Sequence, residues 1–459
     1  MTDRRPGHIP VDEDRWVLVA VAGALSFVAM LDMNIVNVAL ADLSEGLHVS
    51  AATAQWAALG YQLPVVALLL PVGRWLDGGG VRLALCGATA GFALFSALAA
   101  LAPWAAWLIA ARVAQGACAA VLFVLMPVLV VRAVRPAVRG RAMSVPATLG
   151  PLGAVTGPAV GGLLLDQLGW RWVFLVKLPF CLLALIVAWR AMPEDGAPRV
   201  PDRRTLADAV LVGGGLAMLL LALTVGPVLL AFAAVPPLWW WLRGPGGRPV
   251  TGVLRAAGLF RAHGAVLASA SGFAAMHYVV ALHLQRDDGV SATATGLTVL
   301  AFPLGMALAG PLGGRLADRY GPRRVAVTGA ALTTTGLLLL IPLDGTWSPP
   351  DVAWRLALAG VGMGLGGGPT QALVMSAAPA ERTATVGSTI QVARSLGFTL
   401  GPALVTAVWS LAGTRAGLTL AAGAAAVAVP LLALRGRRSA AGRERTTDTV
   451  SRDRPRPWS

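Results

Sequence analysis

The sequence predicts an all-α integral membrane protein in which fourteen transmembrane helices form two six-helix bundles with an inserted two-helix hairpin. Three observations carry this prediction: the composition, the number of long apolar segments and an internal repeat. The chain has 459 residues, of which 56% are hydrophobic and 13% are charged, and its mean hydropathy is +0.70. Because soluble domains carry about 25% charged residues, this composition indicates a protein that lies in a lipid bilayer.

Charge and cysteine content exclude several other classes. The net charge is +15, but the arginines are spread along the chain, which argues against a nucleic-acid partner. Cys86, Cys118 and Cys181 all lie in apolar segments, so neither a disulfide framework nor a metal cluster is expected. The glycine-rich stretch at 360–368 lacks the Lys-Ser/Thr pair of a phosphate loop. We therefore expect no enzyme activity, no cofactor and no metal, and an ion gradient as the energy source.

Apolar segments long enough to cross about 30 Å of hydrocarbon contain roughly 17–25 residues. The predicted spans are 16–40, 52–73, 83–102, 104–131, 143–165, 171–190, 207–225, 227–242, 263–285, 292–313, 325–343, 353–376, 384–409 and 415–435. The seventh and eighth spans are short and are separated by Gly226-Pro227, so we interpret 207–242 as a tight hairpin.

Arginines concentrate in alternate connections, after spans 2, 4, 6, 8 and 10. By the positive-inside bias, these connections and both termini lie in the cytoplasm. The predicted organisation is a cytoplasmic N-terminus (1–15), a first bundle (16–190), a linker with the hairpin (191–262), a second bundle (263–435) and a disordered basic cytoplasmic tail (436–459).

An internal repeat relates the two bundles. The segment Gly73-Arg-Trp-Leu-Asp77-Gly-Gly-Gly80 recurs 241 residues later as Gly314-Arg-Leu-Ala-Asp318-Arg-Tyr-Gly321. The Gly153-Ala-Val-Thr-Gly157-Pro158 segment recurs 244 residues later, and Arg112-Val-Ala recurs 243 residues later. Three matches at nearly one offset indicate duplication, and transporters built from parallel repeats bind their cargo near the midplane between the halves.

Five motifs carry a resemblance to the major facilitator superfamily, and within it to the fourteen-helix drug:proton antiporters. They are LDMNIVNVAL (31–40), GRWLDGGGVR (73–82), RVAQG (112–116), GAVTGPAVGG (153–162) and WRWVFLVKLP (170–179). The chain departs from the family pattern at Asn34, where Thr is usual, at Gly78, where Arg is usual, and at Lys177, where Asn is common. The resemblance implies the major facilitator fold and proton-coupled export, with a weaker gating contact at the first of the two repeated loops.

Charged residues deep in the apolar spans are the candidates for proton coupling: Asp32, Arg112, Lys177 and His277. Residue counts along their helices place the first three at similar depths in the outer half of the bilayer. Each would cost about 2.5–3.5 kcal/mol alone, which implies pairing or access to water. Desolvation favours the neutral carboxyl and a nearby cation favours the ionised one, so Asp32 is suited to proton exchange. A purely structural salt bridge, or a Lys177 side chain that extends to the interface, is the alternative.

Three further sets of candidates follow from the motifs and from the polar residues of the spans. The gating candidates, for which plain helix caps are the alternative, are Gly73, Asp77, Gly80, Gly314, Asp318, Arg319 and Gly321. The antiporter-motif residues, which also allow close helix packing, are Gly153, Gly157, Pro158, Gly161 and Gly162. The substrate-binding candidates, for which ordinary packing is the alternative, are Asn34, Asn37, Tyr61, Gln62, Tyr278, Met363, Gln371, Gln391 and Arg394.

These observations together predict a proton-coupled antiporter that exports small, largely apolar compounds across the cytoplasmic membrane. An uptake permease or a facilitator of the same fold is the alternative, and a non-transporting membrane sensor is disfavoured by the deep charges. The C-terminal half contains no second deep acid, which argues against doubly cationic cargo and mildly favours neutral, monocationic or anionic compounds. The expected partners are the proton gradient, a small-molecule substrate and the lipid bilayer, and we expect a monomer.

Overall fold

The computed structural model describes residues 14–196, 203–225, 228–342 and 347–434, and all of its regular elements are helices. The N-terminal half contains α1 (Trp16–Val38), α2 (Leu40–Gly46), α3 (Ala51–Leu76), α4 (Val81–Ala100), α5 (Ala105–Ala133), α6 (Arg139–Leu168), α7 (Arg171–Leu175) and α8 (Leu178–Ala191). The middle contains α9 (Arg203–Asp208), α10 (Gly214–Val225), α11 (Val228–Arg243) and α12 (Gly247–Ala256). The C-terminal half contains α13 (Phe260–Arg286), α14 (Ala292–Tyr320), α15 (Pro322–Leu338), α16 (Pro349–Ser376) and α17 (Thr383–Ala433).

The all-α membrane fold predicted from the sequence is confirmed. Within the described ranges, 11 helical segments are long and apolar enough to cross a membrane. The other predicted spans fall in α11 and α15, which have 16 and 17 residues, and in α16, which has 28. The count of fourteen therefore stays a prediction. The tail at 436–459 and the Gly226-Pro227 turn lie outside the described residues.

Local backbone features explain an interruption in the sixth predicted span and the division between the last two spans. The sixth span is interrupted between α7 and α8, where Pro179 supplies no backbone N–H for the helical ladder. The last two predicted spans correspond to two helical segments within α17, separated at Gly413, whose φ of 80° and ψ of 178° are not helical. A positive φ of this kind is accessible to glycine without strain.

Glycines allow the first and fifth transmembrane helices of each half to pack closely, α1 with α6 in the N-terminal half and α13 with α17 in the C-terminal half. A Cβ on Gly153 or Gly157 of α6 would lie within 3.1 Å of the α1 backbone. In the C-terminal half, Gly397 and Gly401 of α17 lie equally close to α13 at Leu267 and Ser271. The same contact at corresponding positions supports the duplication inferred from the sequence, because small residues allow helix backbones to approach closely.

The two halves meet at the ends that the sequence predicts to be cytoplasmic. Gly73 of α3 lies against Ser388 of α17, and Gly314 of α14 lies against Arg141 and Ser144 of α6. Farther along, Gly310 of α14 contacts Thr148 of α6. These contacts follow the arginine-containing connections, so the structure is closed on the side that the sequence assigns to the cytoplasm.

Candidate functional site

Asp32 lies in α1 about 24 Å along the helix from Trp16, at 1.5 Å per residue. Its side chain is 0% exposed, and two cations hold it. One carboxylate oxygen accepts a hydrogen bond from Arg112 Nη1 at 2.7 Å, and the other forms an ion pair with Lys177 Nζ. The structure therefore brings together three of the four residues predicted for proton coupling.

Arg112 lies on α5 and is itself fully buried. Its Nε donates to the carbonyl oxygen of Ala57 at 2.8 Å, and its Nη1 also donates to Gln115 Oε1 at 2.7 Å. The guanidinium carbon lies 4.4 Å from the centre of the Tyr61 ring. Hydrogen bonds and an aromatic face on a buried guanidinium fix its orientation and offset part of its desolvation.

Lys177 lies at the break between α7 and α8, directly before the first residue of α8. Only 1% of the side chain is exposed, and Nζ lies 5.2 Å from the centre of the Phe174 ring. A lysine that extended to the membrane interface would be exposed at its tip. The structure instead places the ammonium group against Asp32.

Three residues that contact this cluster were not predicted from the sequence, and a fourth, Tyr61, was predicted to bind substrate instead. Gln115, Phe92 and Phe174 contact the two cations. Gln115 stands three residues after Arg112. This spacing puts both side chains on one helix face and would have identified Gln115 from the sequence. Tyr61 was expected to bind substrate, but it is fully buried beneath Arg112 and its hydroxyl donates to Ala29 O at 3.2 Å.

The antiporter-motif glycines lie directly behind Asp32. A Cβ on Gly157 would lie 3.1 Å from Ile35 N and 3.2 Å from Leu31 O, on either side of the aspartate in sequence. Gly161 packs on Ile35, whereas a Cβ on Gly162 would meet no atom within 4 Å and Pro158 is exposed. The close approach of α6 to α1 therefore depends on Gly153, Gly157 and Gly161.

Asp77 contacts the opposite half of the molecule. Its carboxylate accepts hydrogen bonds from the backbone N–H groups of Ala384 and Thr385 at 3.0 and 3.1 Å, at the N-terminus of α17. The Thr385 hydroxyl donates to the same carboxylate, and Arg382 Nη1 lies 3.8 Å from it. Burial raises the pKa of Asp77, while the hydrogen bonds from Thr385 act in the opposite direction.

Asp318 makes the equivalent contact in the opposite direction. It accepts hydrogen bonds from the backbone N–H groups of Gly140 at 2.9 Å and Arg141 at 3.2 Å, at the N-terminus of α6. Each aspartate thus stabilises the positive end of a helix dipole in the other half. Asp77 has more hydrogen bonds than Asp318, which differs from the expectation of a weaker first contact.

The remaining gating candidates have structural roles around these aspartates. Gly80 and Gly321 have φ angles of 73° and 90° at the turns before α4 and α15, where glycine adopts a conformation that costs other residues free energy. The absence of a side chain on Gly73 and Gly314 lets the halves touch. Arg319 is exposed, with its guanidinium carbon 5.2 Å from the Tyr320 ring.

The other substrate-binding candidates are scattered. Asn34 donates to Met30 O of its own helix at 2.8 Å, and Asn37 and Tyr278 are exposed. Gln371 is buried, and the half-buried candidates are Gln62, Met363, Gln391 and Arg394. His277 is half-buried among aromatic rings, and its Nδ1 lies 3.3 Å from Phe273 O. The structure does not bring His277 to the Asp32 cluster.

Two related helical halves, closed at one end and enclosing buried charges, have the architecture of a multi-pass membrane transporter. The sequence profile of the Major Facilitator Superfamily matches residues 22–246 and 262–459 of the chain. The chain belongs to this superfamily.

Curated relatives and solved structures agree with this assignment. The Multidrug resistance protein Stp of Mycobacterium tuberculosis (strain ATCC 25618 / H37Rv) is 32% identical over 411 residues, which are 85% of this chain and 75% of the relative. The Tetracenomycin C resistance and export protein of Streptomyces glaucescens is 28% identical over 416 residues, covering 84% and 74%. The human organic anion transporter MFSD10 (TETRAN) shares the fold, with a TM-score of 0.67 at 18% identity over 93% of this chain and 100% of that chain.

Proposed function

We propose that the protein is a proton-coupled antiporter that exports small, largely apolar compounds across the cytoplasmic membrane. The observation that carries this proposal is the fully buried Asp32 carboxylate between Arg112 and Lys177. Relatives named for multidrug resistance and export support the outward direction. We further propose that both termini are cytoplasmic and that the monomer is the transporting unit.

The geometry supports a mechanism in which Asp32 binds and releases the coupling proton. Ionised Asp32 holds α1, α5 and the start of α8 together through its two ion pairs. Protonation removes the negative charge, which leaves two uncompensated buried cations and weakens both contacts. The protonation state of one side chain thereby changes the relative free energies of the inward-facing and outward-facing arrangements, which is how a ligand shifts a conformational equilibrium.

The two cross-half aspartates form the proposed gate. Asp77 and Asp318 stabilise the cytoplasm-closed arrangement through the N-termini of α17 and α6. Opening to the cytoplasm breaks both contacts, since each joins the two halves on that side. Both ion pairs of Asp32 lie within the N-terminal half, so protonation of Asp32 changes contacts in that half. The gate contacts, in contrast, join the two halves.

Transport into everted membrane vesicles tests the proposed direction and coupling. The probes are ethidium, chloramphenicol and coumarin-3-carboxylate, which are cationic, neutral and anionic. We expect at least one probe to accumulate in energised vesicles that contain the protein and to be released when nigericin collapses the pH gradient. Accumulation only in right-side-out vesicles would indicate an uptake permease, gradient-independent equilibration a facilitator, and no flux of any probe would contradict transport.

Lys177→Asn tests whether the second cation tunes proton exchange. Removing a positive charge beside Asp32 makes proton binding easier, so the pH optimum on the outer face should move upward by about one unit. The measurement is the transport rate in everted vesicles against the pH of the lumen. Arg171→Asn is the matched control, because Arg171 lies six residues earlier, is exposed and contacts Trp170. An unchanged profile for Lys177→Asn would remove Lys177 from the coupling mechanism.

A further inference from the structure

Arg394 lies inside α17 without a partner among the residues that the structure describes. It is eleven residues, or about 16 Å, from the start of the helix at Thr383, and it is half-buried. In that part of the chain, its guanidinium makes no hydrogen bond and no ion pair. This differs from Arg112, whose Nε and Nη1 atoms are both hydrogen-bonded. A guanidinium at this depth requires a counter-charge or water.

The described ranges supply no acid for Arg394. Apart from Asp32, the acidic residues within their helices all lie within five residues of a helix end. Asp32 itself is already held by Arg112 and Lys177. Deep in the described spans, the basic side chains of Arg112, Lys177 and Arg394 thus outnumber the one carboxylate, and this imbalance favours an anion as the bound species.

An aromatic cluster formed by Phe273, His277, Phe302 and Phe398 includes a ring of α17 one turn from Arg394. Phe398 is one helical turn after Arg394 and lies on the same face. Its ring centre is 5.9 Å from that of Phe273, which lies 4.5 Å from Phe302 and 4.2 Å from His277. These rings offer faces and edges for a planar ligand.

The face of α17 that carries Arg394 contacts the other half of the molecule on one side of Arg394 and α13 on the other side. Gly387 precedes Arg394 by seven residues, which is about two helical turns and returns to nearly the same face. A Cβ on Gly387 would lie 3.3 Å from Pro127 and 3.6 Å from Val124 O of α5. Gly401 follows Arg394 by seven residues on nearly the same face, and it lies against Ser271 of α13 in its own half. Arg394 therefore lies between a contact with the other half and a contact with its own half, near the seam where transporters of this architecture bind cargo.

We propose that Arg394 and the aromatic cluster bind the cargo, and that the cargo is an aromatic organic anion with a single carboxylate or comparable anionic group. The guanidinium fork matches a carboxylate through two parallel hydrogen bonds, and the rings contact the apolar body. This inference rests on the proposed export function and names its substrate class. Cargo recognition then lies in the C-terminal half and proton exchange in the N-terminal half.

The membrane potential acts differently on the exchange of an anionic cargo for a proton and on the exchange of a neutral cargo. At one proton per cargo, exchange of an internal monoanion for an external proton moves two positive charges inward, whereas exchange of a neutral compound moves one. An interior-negative potential therefore drives export of the anion more strongly, because one additional elementary charge moves through it.

Three acid–amide pairs test the proposal in everted vesicles: the carboxylic acids and carboxamides of coumarin, naphthalene and anthraquinone. Within each pair the scaffold is constant and only the negative charge changes. We expect the wild-type protein to transport the acids in preference to the amides. Arg394→Gln should raise the KM for a transported acid by about tenfold or more and leave the amide within about twofold, while Arg394→Lys should retain most of the acid preference.

Two further variants separate charge recognition from packing. Phe398→Leu should weaken acid and amide alike, because it removes ring contact and no charge. Arg286→Gln is the control, since Arg286 is exposed at the end of α13, and it should leave both compounds unchanged. Preference of the wild-type protein for the amides, or an equal effect of Arg394→Gln on both members of a pair, would overturn the proposal.

The outcome also distinguishes this proposal from the export function beneath it. If ethidium or chloramphenicol accumulates with the pH gradient while no acid is transported, export stands and the anion proposal fails. If no probe of any charge accumulates, both fail. The comparison of acid and amide in the wild-type protein needs no substitution, so a variant that does not fold leaves the test intact.

Discussion

Asp32→Asn should abolish proton-driven efflux while the protein still inserts and folds. The amide keeps the size of the carboxylate and hydrogen-bonds to Arg112, but it does not exchange a proton at physiological pH. We expect accumulation in energised everted vesicles to fall to the level of vesicles that lack the protein. Removing one partner of a buried ion pair costs about 3–5 kcal/mol, so the protein level and thermal unfolding temperature are measured alongside transport.

Exchange of labelled probe in the absence of a pH gradient separates loss of proton coupling from loss of structure. A folded Asp32→Asn protein should still exchange external labelled probe for internal unlabelled probe at equal concentrations, because the proposed cargo site lies elsewhere. Asp166→Asn is the matched control: Asp166 is also acidic and lies near the outer end of α6, where the structure gives it no ion pair among the described residues. Full gradient-dependent transport by Asp32→Asn would remove this residue from the mechanism.

Asp77→Asn should open the cytoplasmic side of the protein. The substitution removes the negative charge from the α17 N-terminus, where hydrogen bonds to a charged acceptor contribute about 1.5–3 kcal/mol. A loss of this size shifts the equilibrium toward the cytoplasm-open arrangement by about tenfold or more. The reporter is Ser388→Cys in a background without Cys86, Cys118 and Cys181, because Ser388 is buried against Gly73 when the halves are closed. Its labelling by a membrane-permeant maleimide should accelerate by a similar factor.

Asp195 provides the matched control for the gate. It caps the N-terminus of α4, accepting from Val81 N at 2.8 Å and Arg82 N at 3.1 Å, but neither contact joins the two halves. Asp195→Asn should therefore leave labelling of Ser388→Cys unchanged. Lower cytoplasmic pH should mimic Asp77→Asn in the otherwise unchanged protein, and because burial raises the pKa of Asp77, this effect should begin at a higher pH than for an exposed aspartate. Equal labelling in all variants would contradict the gating role.

The depth of the charged residues in the bilayer and the equivalence of the two repeated loops were predictable from the sequence, because both follow from residue counts. A rise of 1.5 Å per residue placed Asp32, Arg112 and Lys177 at one level, and the structure joins them. The offset of 241 residues between Asp77 and Asp318 predicted equivalent positions, and both aspartates contact the start of a helix in the opposite half.

Rotation about the helix axes and the choice of partner were not predictable. The partner of Asp77 lies more than three hundred residues away, at Thr385, and nothing local in the sequence identifies it. The burial of Tyr61 beneath Arg112 and the open space beside Gly162 likewise depend on how α3, α5 and α6 turn toward one another. A single sequence gives the face of a helix that is polar, but two polar residues meet only when tertiary packing aligns their faces.

Proton flux in proteoliposomes tests the central claim most directly. Purified protein is reconstituted with a pH-sensitive dye in the lumen and a cargo gradient across the membrane, with no initial pH gradient and with valinomycin and potassium to hold the potential at zero. The cargo is whichever probe the everted vesicles accumulate. We predict that downhill cargo movement drives protons in the opposite direction, and that Asp32→Asn moves cargo without protons. Cargo movement by the wild-type protein with no proton counterflow, or with protons moving in the same direction, would contradict antiport.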